Sequence, residues 1–171
     1  FKQSVEKMKK IKQDHDKFYG IVISLSNHTP FSDVTKYGEF KVTMNEEVTN
    51  GDGTTTTLEH PYLEGTKLGN YFKSVHYADA ALGEFFQELD EAGLLDNTVV
   101  MLYGDHDARL PKADYVKMLN YDMTTDSVKS SDNPTYQDFN SYHYELNRKV
   151  PFLIWTKDDT IKPKEVTDVM G

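Results

Sequence analysis

A long amphipathic helix pattern, lying between short and almost wholly apolar runs, constrains the fold more than any other feature. Apolar residues recur at three- and four-residue steps over residues 72–89, the period of a helix with one buried face. The runs at 18–25 and 98–103 are rich in β-branched residues, which is typical of strands buried on both faces of a parallel sheet. A third such run spans 150–155, and Pro151 suits its start or edge. This order predicts an α/β fold with a mostly parallel sheet flanked by helices.

Between the first run and the long helix, the pattern weakens over residues 35–66. Residues 40–44 alternate, residues 50–53 read Asn-Gly-Asp-Gly, and residues 54–58 allow a returning strand. We therefore predict an inserted hairpin within 35–66. The 171 residues fit one domain that is long enough to bury a core.

The composition excludes several function classes. The net charge of −9 argues against nucleic-acid binding, which requires a basic patch. The absence of cysteine excludes disulfides, zinc–thiolate sites and cysteine nucleophiles within these residues. No apolar run approaches the roughly 18 residues of a membrane span, so we expect this piece to be soluble. Because it opens on Phe1 and closes on Gly171 directly after two apolar residues, we expect it to be a piece of a longer protein.

The most informative motif is the tetrapeptide at residues 103–106, Tyr-Gly-Asp-His, at the end of a predicted strand. Ligands of open α/β sheets gather at the carboxyl ends of strands. Asp105 offers carboxylate oxygen and His106 offers imidazole nitrogen, a donor set that suits Mn²⁺ or Zn²⁺. The alternative is a strand-end turn with a capping aspartate and a surface histidine.

A second polar loop, residues 26–31, also follows a predicted strand and contains His28. The carboxyl ends of parallel strands open on the same side of a sheet. His28 is therefore predicted to lie near Asp105 and His106. The alternative is that His28 only hydrogen-bonds the loop backbone.

Four motifs in this order resemble the lipoteichoic acid synthases, within the wider sulfatase and alkaline-phosphatase-like superfamily. They are the segments 25–31, 77–79, 103–106 and 150–155. The resemblance runs from about Phe18 to the end. It implies that residues 1–171 are the C-terminal part of a sulfatase-like catalytic domain whose N-terminal half lies upstream.

The resemblance implies roles for individual residues. Asp105 and His106 match two ligands of a catalytic Mn²⁺, or another divalent cation, and His28 matches a histidine that contacts the phosphoglycerol substrate. The family's other ligands, a glutamate and the nucleophilic threonine, find no match in this chain. After Gly-Asp-His the family often carries an aromatic residue and a glycine, whereas this chain departs from that pattern and reads Asp-Ala-Arg-Leu at residues 107–110. The Arg109 guanidinium suits a phosphate, or it pairs with a surface acid.

The implied activity is phosphoglycerol transfer. A glycerol-phosphate unit moves from phosphatidylglycerol to a growing lipoteichoic acid chain through a threonine-linked intermediate. The implied parent protein is anchored in the bacterial cell membrane and acts on its extracellular face. Without the threonine, this chain alone is expected to be inactive.

Two alternatives stay open. One is another enzyme of the superfamily, a sulfatase or a phosphoethanolamine transferase. The other is a binding module that keeps the sheet without the chemistry. The presence of Asp105, His106 and His28 argues against this second alternative.

Overall fold

The computed structural model describes residues 1–32, 34–158 and 160–167. The helices are α1 (Lys2–Asp14), α2 (Lys67–Glu91), α3 (Lys112–Asn120) and α4 (Ser141–Leu146), with a 3₁₀ turn at Thr35–Tyr37. The strands are β1 (Met44–Thr49), β2 (Thr55–His60), β3 (Val100–Tyr103), β4 (Tyr121–Asp122), β5 (Ser127–Val128) and β6 (Phe152–Trp155). The predicted α/β class is confirmed. In the described part of the chain, no helix combines the length and the hydropathy needed to cross a bilayer.

The chain divides into two compact units. The first unit comprises residues 1–23, residues 81–106 and the described residues from Val150 onward. The second unit comprises residues 24–80 and 107–149. A single domain over 1–171 stays a prediction.

The core of the first unit is formed by α1, the end of α2 and the residues that follow it. Its buried apolar side chains are Val5, Phe85, Leu89, Leu94 and Leu95. Gly93 follows α2 at φ 61, the left-handed conformation that glycine adopts readily at the end of a helix. The Lys12 ammonium donates to the Gly93 carbonyl oxygen at 2.6 Å and so ties α1 to the same turn.

The strand pair of the first unit corrects one expectation. β3 and β6 pair antiparallel, with Val100 opposite Trp155 and Tyr103 opposite Phe152. The three strand pairs formed by the described residues are all antiparallel. The predicted parallel order of these runs is therefore wrong. An apolar pattern indicates where a strand lies but not its direction in the sheet. The direction depends on the path of the residues between the two strands.

The predicted strand at residues 18–25 is also wrong for the described chain. These residues join no strand pair, and the side chains are open to solvent, with Ile23 78% and Leu25 76% exposed. A strand exists only where a neighbour pairs with its backbone N–H and C=O groups. The described residues place no such neighbour beside this run.

The second unit has its own apolar core, which anchors the two loops that contain the predicted site residues His28 and Arg109. Its buried side chains are Phe31, Val42, Leu63, Leu68 and Leu110. The Asn70 amide donates to the Phe31 carbonyl oxygen at 2.7 Å, and the Tyr144 hydroxyl donates to the Leu110 carbonyl oxygen at 2.8 Å. The loop after His28 and the loop after Arg109 are therefore both anchored in this core.

The hairpin predicted within residues 35–66 is confirmed. Strands β1 and β2 pair antiparallel, with Thr49 opposite Thr55. The first strand lies at Met44–Thr49 rather than at the predicted residues 40–44. In the turn, the Asp52 carboxylate accepts the Thr54 backbone N–H at 3.0 Å. That the hairpin is an insertion stays a prediction.

A buried histidine links this hairpin to the β4–β5 turn. His60 is 4% exposed, and its Nδ1–H donates to Asp126 Oδ1 at 2.7 Å. Its Nε2 lies 3.4 Å from Glu46 Oε2. The hydrogen bond to the Asp126 carboxylate raises the pKa of His60 above its usual value, although burial opposes this.

We expect the stability contributed by the His60 contacts to depend on pH. Because the pKa of His60 is higher in the folded protein than in the unfolded one, this contribution is complete below about pH 6. It is lost as the pH rises through the folded pKa. The melting temperature of the native protein should exceed that of His60→Gln by more at pH 6 than at pH 8. An equal difference at both pH values would contradict this prediction.

Candidate functional site

Asp105 and His106 lie directly after β3, as the sequence predicts. Asp105 Oδ1 accepts the His106 backbone N–H at 3.0 Å, so the aspartate does stabilise a strand-end turn. Its other oxygen, Oδ2, lies 3.8 Å from His106 Nε2. The two side chains are 82% and 63% exposed. A carboxylate oxygen and an imidazole nitrogen therefore lie together within reach of a cation from solvent.

Gly104 allows the backbone before this pair to approach Val150 and Pro151, the two residues that precede β6, closely. A Cβ atom added at Gly104 would lie 3.0 Å from Val150 Cβ, tighter than ordinary side-chain contacts. The Gly104 N–H donates to the Pro151 carbonyl oxygen at 3.2 Å. Glycine is therefore required at this position because the backbone packs closely against Val150.

We expect Gly104→Ala to destabilise the protein by about 1–3 kcal/mol, the usual cost of overpacking. The added methyl group must push Val150 away from the end of β3, and Asp105 follows directly. Denaturant unfolding of the intact protein measures this loss. Gly83→Ala is the control, since a Cβ at Gly83 meets nothing within 4 Å. Because Gly83 lies within α2, alanine there should raise stability by roughly 0.5–1 kcal/mol. If Gly104→Ala is as stable as the native protein, Val150 yields freely to the added methyl group.

His28 has one ring nitrogen engaged with its own loop. Its Nδ1–H donates to the Thr29 carbonyl oxygen at 2.8 Å, as the alternative interpretation expected. This bond sets the tautomer, so Nε2 carries the lone pair in the neutral ring. Within the described residues Nε2 has no hydrogen-bond partner. His28 is exposed, and Nε2 is available to a ligand.

Two cavities of the second unit share one wall, the segment formed by Thr29, Pro30 and Phe31. The first, about 310 Å³, is lined by His28 together with Lys36 and Tyr37, and we call it the His28 cavity. The second, about 570 Å³, is lined by the shared wall and by Lys67, Arg109, Leu110, Pro111, Lys112 and Tyr144, and we call it the basic cleft. The structure thus places His28 and Arg109 in adjacent cavities.

Arg109 is held in an unusual backbone conformation. Its φ of 44° lies in the left-handed region that non-glycine residues rarely adopt. The next residue, Leu110, is only 2% exposed and anchors the loop in the core. Arg109 itself forms no hydrogen bond or ion pair with the described residues, so the alternative of a surface ion pair is not realised there.

Asp105 and His106 are candidate metal ligands, but the other described residues do not complete a metal site with them. The described residues contain no cluster of three or more histidine, aspartate or glutamate side chains placed to hold a metal ion. Asp105 and His106 fit a divalent cation by donor chemistry, since oxygen and imidazole ligands suit Mn²⁺ and related ions. Two ligands alone hold a cation weakly.

The four predicted site residues fall into two pairs. Asp105 and His106 belong to the first compact unit, whereas His28 and Arg109 belong to the second. The roles of these four residues stay predictions. The convergence of the two pairs on one substrate stays a prediction.

Comparison with known proteins places the chain in a family. The sequence model of the sulfatase family matches residues 1–169. This chain belongs to the sulfatase family. The crystal structure of the lipoteichoic acid synthase LtaP from Listeria monocytogenes is similar to it, with a TM-score of 0.52 and 29% identity. That match covers 90% of this chain and 30% of LtaP. It confirms the expected alkaline-phosphatase-like fold of this sulfatase-family chain.

Curated relatives point the same way within the sulfatase family. Lipoteichoic acid synthase 1 of Bacillus subtilis (strain 168) is 39% identical over 106 residues, which is 62% of this chain. The lipoteichoic acid synthase of Staphylococcus saprophyticus is 33% identical over the same length. In both cases the aligned region is 13% of the relative. The resemblance to lipoteichoic acid synthases is therefore confirmed, for a chain that spans a small part of each of them.

Several residues that line the two cavities could not be recognised from the sequence. Lys36, Lys67, Lys112 and Tyr144 line the two cavities but belong to no motif. Lys67 and Lys112 are the first residues of α2 and α3. The sequence indicates only that these two lysines stand near the start of a helix. It does not indicate that the two helix starts line the same cavity.

Proposed function

We propose that the protein containing this chain is a phosphoglycerol transferase that builds lipoteichoic acid. The observation that carries the proposal is the Asp105–His106 pair, exposed at the end of β3 in a chain similar to lipoteichoic acid synthases. The donor is phosphatidylglycerol and the acceptor is a glycerol-phosphate polymer. The parent protein is membrane-anchored and works on the outer face of the bacterial membrane.

Two phosphoryl transfers make up the reaction. A threonine hydroxyl from outside this chain attacks the phosphorus of phosphatidylglycerol, and the bond to the diacylglycerol oxygen breaks. Diacylglycerol leaves with a proton, and glycerol phosphate stays on the threonine oxygen. The terminal hydroxyl of the acceptor then attacks the same phosphorus, and the threonine oxygen regains a proton.

This chain supplies binding groups and one proton-transfer group. Asp105 and His106 would hold a Mn²⁺ or another divalent ion, completed by ligands from elsewhere in the protein. That cation would lower the pKa of the attacking hydroxyl and neutralise phosphoryl charge. His28 Nε2 accepts a proton in the neutral ring or, when protonated, donates to a phosphoryl oxygen. Arg109 faces the phosphate as a fork of N–H donors.

Transfer of labelled glycerol phosphate tests the proposal. The intact protein, with Mn²⁺ present, should move label from the phosphatidylglycerol headgroup into a glycerol-phosphate polymer. Mass spectrometry should detect the glycerol-phosphoryl adduct on a threonine. The chain spanning residues 1–171 alone should show no turnover, because the nucleophile lies outside it. Turnover by this chain alone, or an intact protein that forms no adduct, would refute the mechanism.

A second candidate function is favoured by the family match itself, which names sulfatases. A sulfatase or a phosphoethanolamine transferase would use the same exposed Asp105–His106 pair. Hydrolysis of an aryl sulfate, or transfer from phosphatidylethanolamine, by the intact protein would favour these activities. The nucleophile also discriminates, because sulfatases require a modified cysteine or serine where the transferase requires threonine.

A non-catalytic module is the remaining alternative. Such a module would have no need of a cation at Asp105 and His106. Calorimetric titration of the intact protein with Mn²⁺ separates the two cases. Binding that is lost in His106→Ala supports the enzyme, whereas an absence of binding in the native protein supports the module.

A further inference from the structure

The turn that carries Asp105 and His106 is held on its N-terminal side by the residues before β6. The Gly104 N–H donates to the Pro151 carbonyl oxygen, one step beyond the last paired residues of β3 and β6. The side chains of Asp105 and His106 are themselves 82% and 63% exposed. Since exposed side chains have few packing contacts, the geometry of this pair depends largely on how its backbone is held.

On the C-terminal side, the next residue is held by an ion pair. Asp107 follows His106 directly, and its side chain is only 15% exposed. The Arg148 Nε–H donates to Asp107 Oδ1 at 3.3 Å. Hydrogen bonds between charged groups are stronger than those between neutral ones. Because a peptide bond joins Asp107 to His106, this contact limits the conformations that are open to the turn.

Arg148 donates from a supported position. It lies two residues after α4, whose first turn is stabilised by a capping box at Asn140. Its Nη1 also donates to Glu145 Oε2 at 3.1 Å. The Tyr144 hydroxyl, from the same helix, donates to the carbonyl oxygen of the buried Leu110. The end of α4 therefore contacts the segment after the metal-ligand pair at two points, residues 107 and 110.

The surroundings of Asp107 disfavour a direct role as a metal ligand. Its Oδ1 already accepts a hydrogen bond from a cation, Arg148. The described residues contain no cluster of three histidine or acidic side chains placed to hold a metal ion, so Asp107 does not complete a site with Asp105 and His106. Its carboxylate is also largely withdrawn from solvent, unlike that of Asp105.

We propose that Arg148 is a positioning residue for the divalent cation. Through Asp107 it holds the turn that carries Asp105 and His106, so that the carboxylate and the imidazole lie together before the cation binds. Ligands held in this way lose less conformational freedom on binding, which increases affinity. The inference rests on the proposed function for the presence of the cation.

Calorimetric titration of the intact protein with Mn²⁺ tests the inference. Arg148→Gln should weaken Mn²⁺ binding by about tenfold, the lower end of the range for residues that support metal ligands. Charge alone predicts the opposite sign, because removing a positive side chain reduces the repulsion of a cation. Tighter binding in Arg148→Gln would show that the freed Asp107 carboxylate joins the cation, and would overturn the positioning role.

Lys149→Gln is the matched control, because it removes the same charge at the adjacent exposed residue. Its Mn²⁺ affinity should stay within about twofold of the native value, since exposed charges are screened by salt. Arg148→Lys should recover part of the lost affinity, because its ammonium keeps a donor for Asp107. An equal loss in Lys149→Gln would contradict a role specific to Arg148.

A double-mutant cycle shows whether Arg148 acts through Asp107. In the Asp107→Asn background, Arg148→Gln should change the Mn²⁺ affinity by less than about twofold, because its partner is already altered. An undiminished effect in that background would show that Arg148 acts by another route and would overturn the inference.

Hydrogen exchange measures the turn without any metal. The backbone amides of residues 104–107 should exchange faster in Arg148→Gln than in the native protein, while the melting temperature falls by less than about 4 °C. Unchanged exchange, or a loss of affinity that comes with a large fall in melting temperature, would overturn the inference. Native protein that binds Mn²⁺ no better than Arg148→Gln rejects this inference alone. Native protein that binds no Mn²⁺ rejects it together with the cation of the proposed function.

Discussion

Asp105→Asn should reduce transferase activity of the intact protein by at least about a hundredfold, because even residues that only support metal ligands cost 10–100-fold when replaced. The amide keeps the shape of the side chain but removes the negative charge that attracts a divalent cation. Its oxygen can still accept the His106 backbone N–H, so the turn after β3 should survive. The measurements are the rate of label transfer and the affinity for Mn²⁺ by calorimetry.

The control for this variant is Asp132→Asn, which makes the same chemical change at an exposed residue of the second unit. It should leave both the rate and the affinity unchanged. A variant at position 105 that binds Mn²⁺ as tightly as the native protein would remove Asp105 from the metal site. Rescue of activity at high Mn²⁺ concentration would confirm that weakened binding is the cause of the loss.

His28→Ala should lower the transfer rate on the order of a hundredfold, the lower range for loss of an acid–base group. The substitution removes the imidazole ring of a residue that lines the His28 cavity. The bond from Nδ1 to Thr29 joins adjacent residues and contributes little to the fold. We therefore expect the melting temperature to change far less than the rate. Transfer rates measured at saturating and at limiting phosphatidylglycerol distinguish a slower chemical step from weaker binding of the donor.

His15→Ala is the matched control, since His15 is an exposed histidine just after α1. It should behave as the native protein in both assays. An unchanged rate in His28→Ala would exclude His28 from the transfer step. A fall in transfer rate that is accompanied by a large fall in melting temperature would instead show that His28 is structural.

Local features of the fold were predictable because neighbouring residues determine them. The helical period over residues 72–89 lies within the observed helix Lys67–Glu91, and Gly93 marks the turn after it. The turn at residues 50–53 likewise joins two observed strands. The position of Asp105 and His106 directly after a strand was predictable because a strand followed by Gly-Asp-His is itself a local pattern.

Features that depend on distant residues were not predictable. His60 and Asp126 are 66 positions apart, and nothing near either one indicates the bond between them. The direction of β6 against β3 depends on the path of almost fifty intervening residues. The short helix α4 (Ser141–Leu146) depends on a capping box at Asn140, a signal too brief to stand out in a polar segment.

The wall at Thr29, Pro30 and Phe31 has a consequence for chemical probes of this enzyme class. A compound with one acidic group can occupy either neighbouring cavity, but two acidic groups joined by a short linker can occupy both at once. The second contact is then intramolecular, so affinity rises without any stronger single interaction. Fragments grown across Pro30 are therefore a rational starting point for inhibitors.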